Sequence, residues 1–138
     1  MDQNEKDSYY LAIAREISKG STCYYGNVGC VIVDKENNII SASCLSDKND
    51  ILNCRKQDYC SFAVREGTSS FGTPEYCDYM FPEVNAILAA ERLRLQGASL
   101  YIWAEDLDGN VISVNLKKTL SKIIRSAGIK RIILPKES

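Results

Sequence analysis

The sequence predicts an α/β sandwich built around one mixed sheet. Three observations carry that prediction. Short β-rich runs alternate with helix-period runs; glycines and turn dipeptides mark the boundaries; and the resulting order is helix, two strands, long polar loop, helix, two strands, helix, strand. Over residues 8–19, SYYLAIAREISK places Tyr10, Ile13, Ala14 and Ile17 at helical spacing, with Gly20 as the stop signal. GCVIVD (29–34) and IISASC (39–44) are joined by KENN and read as a hairpin. Residues 45–79 are polar and rich in Ser, Asp, Asn, Gly and Cys, a long loop insertion within a single domain spanning 1–138, with CSFAVREG as a candidate short helix. A second helix is expected over 82–95, with Pro82 early and Gly97 beyond its end. Strands follow over 98–106 and, after an Asp-Gly turn, over 109–115. A helix over 116–127 capped by Gly128 and a last strand over 131–135 complete five strands in all.

Composition narrows the function classes. The chain has 138 residues, enough to bury a substantial core, with 45% hydrophobic and 25% charged residues, ordinary for a globular protein. Its 17 basic and 18 acidic residues balance to −1, which gives no electrostatic case for nucleic acid or an anionic membrane. No apolar run approaches the ~20 residues that span a bilayer, and the acidic, polar MDQNEKDSYY start is unlike a secretory signal. A cytoplasmic location is the expectation. In that setting the six cysteines (Cys23, Cys30, Cys44, Cys54, Cys60 and Cys77) read as free thiols or metal ligands rather than disulfides. Histidine is absent altogether. That removes the commonest general base, the usual partner of a Ser or Cys nucleophile, and the usual nitrogen ligand for zinc.

STCYYGNVGCVIV (21–33), PEVNAI (82–87), LYIWAEDLDGNVI (100–112) and IIRSAGIKRIIL (123–134), in that order, resemble the cytidine and deoxycytidylate deaminase superfamily, most of all its dCMP-deaminase and late-competence-operon branch. The resemblance covers nearly the whole chain. It implies an α/β/α sandwich around a mixed five-stranded sheet, and a zinc ion held by the His of a His-x-Glu motif and two cysteines of a Pro-Cys-x-x-Cys motif. In the family that metal activates a water for attack on the pyrimidine ring while the Glu shuttles protons. Carried over position by position, the Glu falls on Glu83, the His on Phe81, the motif proline on Leu116 and the cysteines on Lys117 and Leu120. The Asn of the family's nucleotide-holding turn falls on Leu45, and basic residues that commonly follow STC fall on Tyr25 and Gly26. The resemblance therefore implies a deaminase scaffold from which the catalytic zinc ligands and part of the substrate site are missing.

Glu83 has a local explanation as well, because a carboxylate in a first helical turn is favoured by roughly 0.3–1 kcal/mol. The alternative is that it pairs with Lys117 across the emptied site or is reused for acid–base work with Lys117 or Cys77. Phe81 and Leu120 are expected to pack into the vacated space, and Asn85, a poor helix former, to make a specific hydrogen bond. Phe81, Asn85, Leu45, Tyr79 and Leu120 are the candidate pocket residues. Tyr24, Tyr25, Tyr76 and Tyr79 either cover the core under the loop or form a stacking platform. Relatives in this branch can carry an auxiliary zinc in the long loop, for which Cys23, Cys54, Cys60 and Cys77 are the candidates against free thiols. Cys30 and Cys44 read as small buried residues.

Three functions follow as expectations: a pseudoenzyme without catalytic zinc that binds a small molecule or protein, a metal-independent enzyme built on Glu83, and a nucleotide-binding regulator. The resemblance also implies a homo-oligomer, or assembly with an active paralogue.

Overall fold

The computed structural model of the chain describes residues 1–46, 53–60, 81–114, 116 and 118–136. The first helix, α1 (Gln3–Ser18), begins five residues before the apolar pattern does. The reason is Asp2, whose carboxylate accepts the Glu5 backbone N–H at 2.8 Å and satisfies one of the free donors of the first turn. The hairpin forms as β1 (Gly26–Val33) and β2 (Ile39–Cys44). Its turn is organised by Asp34, which accepts the backbone N–H groups of Glu36 and Asn38, both at 2.9 Å. Within the long loop, Asn53 caps a four-residue helix α2 (Cys54–Gln57) that the sequence pattern did not predict. The candidate helix in CSFAVREG lies outside the described residues beyond Cys60.

The helix expected over 82–95 is two helices, α3 (Pro82–Ala89) and α4 (Arg92–Leu95), separated by an extended Ala90 at φ −95° and ψ 152°. Geometry explains the break. Ala86 is fully buried, and on a continuous helix Leu95 would lie roughly 180° around the axis from it; the interruption re-aims Leu95 into the same core, where it is 4% exposed. Then come β3 (Ser99–Asp106), α5 (Lys118–Ser126) and β4 (Arg131–Ile133).

The sheet runs β2-β1-β3-β4. Strand β1 is antiparallel to both neighbours, and β4 is parallel to β3, so the sheet is mixed as expected. It has four strands among the described residues rather than five. The segment expected as a strand over 109–115 contributes one bridge, Val111 to Glu105, before Val114 and Leu116 leave to pack against the core. The edge of β3 that it would extend along is shared with β4, which already pairs with residues 99–101.

Strand alternation divides the interior into two layers. Val31, Val33 and Tyr101 face α1 and pack on Tyr10 and Ala14. Cys30, Ile32, Leu100 and Ile102 face the other way, onto Ala86 of α3 and Leu120 and Ile124 of α5. Gly29 is required where α1 crosses β1, because a side-chain carbon there would lie 2.6 Å from the Ala14 carbonyl oxygen. No helix among the described residues is long and apolar enough to cross a membrane.

Candidate functional site

The candidate site is built at the N-terminus of α3, where that helix meets β1 and α5. Phe81 is the N-cap residue but offers no side-chain hydrogen bond, and Pro82 follows in the first turn. That leaves the helix N-terminus with a carboxylate, Glu83, as its nearest acceptor. Glu83 is only 4% exposed, and its carboxylate accepts from its own backbone N–H. Among the described residues no ion pair engages it. Burial in these surroundings disfavours the charged form and raises its pKa from 4.5 to about 7.

The surroundings are apolar. Ala86, Cys30 and Leu120 belong to the buried cluster under α3, with Phe81, Val84 and Ile87 packed against it. The Cys30 thiol on β1 is fully buried and sits well above its ordinary pKa, through burial first and the negative field of Glu83 second. The Ser41 hydroxyl on β2 donates to the Ala86 carbonyl at 2.7 Å and fixes α3 against the hairpin. Asn85 is half-buried, and its side chain makes no hydrogen bond among the described residues, so the specific bond expected of it is not found there. Of the sequence-predicted residues, Phe81 and Leu120 belong to the same core cluster, and Glu83 is buried on the helix that packs on it. Lys117, Cys77, Tyr76 and Tyr79 lie outside the described residues, and with them the expected Glu83–Lys117 pair.

Leu45 is elsewhere. It packs with Tyr24 and Tyr25 over Cys23 and Cys54, a small cluster of its own at the foot of α2. The two tyrosine rings meet edge to face, 5.2 Å between centroids, and cover the buried thiols. Burial raises the Cys23 thiol's pKa, with smaller contributions from the neighbouring Cys54 and Cys60. Two of the four candidate zinc thiols, Cys23 and Cys54, are therefore packed together, and Cys77 lies outside the described residues. No group of three or more Cys, Asp or Glu side chains among the described residues is arranged to hold a metal ion.

Sequence reasoning missed Arg55. Its guanidinium donates to the Cys23 carbonyl at 2.8 Å and to Asn27 Oδ1 at 3.0 Å, tying α2 to the start of β1. A single arginine in a polar loop carries no pattern from which that role is readable. The nearness of Cys30 to Glu83 was also missed, although strand alternation places Cys30 on the α3 face.

Comparison with known proteins now bears on this geometry. No family model matches the chain. The deoxycytidylate deaminase of Mycobacterium phage D29 is 27% identical over 139 residues, covering all of both chains. Among solved structures, the dCMP deaminase of cyanophage S-TIM5 superposes with a TM-score of 0.64 at 20% identity, over the whole of this chain and 87% of that one. Acinetobacter baumannii RibD gives 0.55 at 20% identity over 96% of this chain, which spans 28% of that longer protein. The structural likenesses establish the fold, and the end-to-end sequence match adds descent. With its Glu-x-Asn-Ala-Ile segment on α3 and its Ala-Gly-Ile-Lys segment leading into β4, the chain has the fold of the cytidine and deoxycytidylate deaminases and is similar in sequence, end to end, to one of them.

Proposed function

We propose that this chain is a deaminase-fold protein that does not carry out zinc-dependent deamination and works by binding a small molecule or a protein partner. One observation carries the reading: Phe81 and Leu120, onto which the family's histidine and one of its cysteines fall, pack against the apolar cluster beside Glu83. Neither side chain has a donor atom, and the third ligand position falls on a lysine, which must lose its proton to bind a metal. This donor set does not fit zinc, and no chemical step is routed through it. Apolar side chains at these positions relieve the cost of an empty polar cavity.

The test is direct. Protein purified without chelators is assayed for bound zinc and for conversion of dCMP to dUMP. The expected result is no turnover, and no zinc beyond any that Cys54→Ser removes. One zinc per chain at this site together with turnover overturns the proposal. A structural zinc on Cys23, Cys54, Cys60 and Cys77 would disappear in Cys54→Ser and leaves the proposal standing.

A second reading is favoured by Glu83 itself. A buried carboxyl with its pKa at about 7 is poised where general acids and bases operate. With Lys117 or Cys77 as co-reactant, it would support metal-independent proton transfer. Its signature is an activity that titrates near neutral pH and vanishes in Glu83→Gln. A nucleotide-binding regulator, the third reading, requires thermal stabilisation by deoxynucleotides. Homo-oligomerisation, or assembly with an active paralogue, accompanies the first reading as a proposal.

A further inference from the structure

Away from Glu83, the helical face of the sheet carries an open groove. It lies between the C-terminal half of α3 with α4 on one side and α5 on the other, and holds about 670 Å³. Its lining is mostly apolar, from Ile87, Leu88, Ala90, Leu95, Ile123 and Ala127, with the hydroxyls of Thr119 and Ser126 beside them. Leu88 is 71% and Ile123 42% exposed, large aliphatic side chains that folding leaves in water on one continuous surface.

The charge around this groove is one-sided. Arg92 and Lys122 line it, and Lys118, Lys122 and Arg125 follow one another at helical spacing along α5. None of these four has an ion-pair partner among the described residues. From residue 118 to residue 136 the chain carries six Lys or Arg and no Asp or Glu, although the whole protein is nearly neutral. The one acid in the α3–α4 turn is Glu91.

We infer that this groove docks an amphipathic helix of a partner protein, apolar along one stripe and acidic on its flanks. The apolar floor supplies burial for side chains at i, i+3 or i+4, and i+7. The basic rim then selects partners with Asp or Glu beside that stripe and sets their orientation. Charge argues against a second copy as the occupant. A two-fold self-contact places each patch on its own image, so Arg92, Lys118, Lys122 and Arg125 would meet like charges. A homo-oligomer of this chain uses another face. This inference does not depend on whether Glu83 does chemistry.

The probe is a set of fluorescein-labelled helical peptides with leucines at that spacing, flanked by glutamates or, as controls, by lysines. Binding to the full chain is followed by fluorescence anisotropy. The glutamate-flanked peptides are expected to bind at least about tenfold more tightly than the lysine-flanked ones, with affinity falling as salt rises. Lys122→Glu with Arg92→Glu should reverse the preference, and Ile123→Asp should abolish binding of both sets. All three positions are at or near the surface, and an unchanged melting temperature shows that the variants fold. Equal binding of both sets, or no binding by any peptide, overturns the inference. So does a dimer of the unmodified chain that Ile123→Asp converts to monomer, because the groove is then the self-interface.

Discussion

Under α1, Asp7 meets Arg131 at 2.9 Å and accepts the Tyr101 hydroxyl at 2.7 Å, whereas on the opposite face of the same sheet Glu83 is 4% exposed with its own amide as the partner found for it. The α1 face keeps its charges at the margin and matches them. Arg15 adds a further contact there, stacking over Trp103 at 5.4 Å while Trp103 donates to Glu105. The α3 face puts a carboxylate inside, close to Cys30, and the exposed basic residues of α5 have no ion-pair partner among the described residues. Burying an acid that has no ionic partner among the described residues costs stability, a cost the α1 face avoids. The difference is one of charge placement: the α1 side matches charges at its surface, and the α3 side carries one inside.

The comparison breaks most readily at its tightest point. Gly29→Ala sets a methyl 2.5 Å from the Ser18 backbone nitrogen, and neither backbone can yield. A loss of about 3 kcal/mol or more in denaturant unfolding is expected; a smaller loss means α1 is not clamped on β1. Glu83→Gln tests the other face. Because the folded-state pKa is raised, the folded protein holds this proton more tightly than the unfolded chain does. Its stabilising contribution is full below pH 4.5 and is lost as pH rises to about 7. Glu83→Gln should therefore stabilise the protein at pH 8, by up to roughly 3 kcal/mol, and flatten the pH dependence between 4.5 and 7. Destabilisation at pH 8 would instead show that Glu83 has a cationic partner.

Asp7→Asn removes an ion pair whose arginine is 40% exposed, so a loss of about 1 kcal/mol is expected at neutral pH. Here the sign is opposite to that of Glu83. The Arg131 hydrogen bond lowers the Asp7 pKa, so the contribution is full above the ordinary carboxylate range and is lost as pH falls through 3.8 and below. Stability curves of wild type and variant should converge in acid. Arg15→Ala is the smallest change, within about 0.5 kcal/mol, because its side chain is 51% exposed and its contact with Glu105 is 3.9 Å long. An effect above about 1 kcal/mol would mean that the Trp103 stack is structural.

What the sequence made legible follows from how local each signal is. The hairpin, β3 and the start of α3 were readable because alternation, Asp-Gly or Pro punctuation, and helical spacing all act within a few residues. Asp2 and Glu5 form a readable cap that the apolar pattern alone overlooked, so α1 was expected too short. The break at Ala90 was not readable. Nothing in AILAAERL stops a helix, and only the need to bury both Ala86 and Leu95 on one surface does so. The same holds for residues 109–115, whose strand-like alternation met an edge of β3 that β4 shares. At the site, the motif alignment singled out Phe81, Glu83 and Leu120 together. It placed Leu45 with them, where packing puts Leu45 over Cys23 and Cys54. A resemblance transfers the order of residues along a chain, but the long loop that decides this neighbourhood has no periodic pattern from which to read it.

The bridge from Asp7 to Arg131 spans 124 positions of sequence. At about 5–20 residues per second of translation, roughly 6 to 25 seconds separate the synthesis of the two partners. Through that interval α1 is fully made, and Tyr10 and Ala14 have first only β1 and then β3 to cover them. The shortest ionic tether of the first helix to be synthesised thus waits for residue 131. A chain released before residue 131 holds α1 by its apolar contacts, the Tyr101–Asp7 hydrogen bond and the Arg15 contacts, but without the Arg131 bridge that closes the α1 layer.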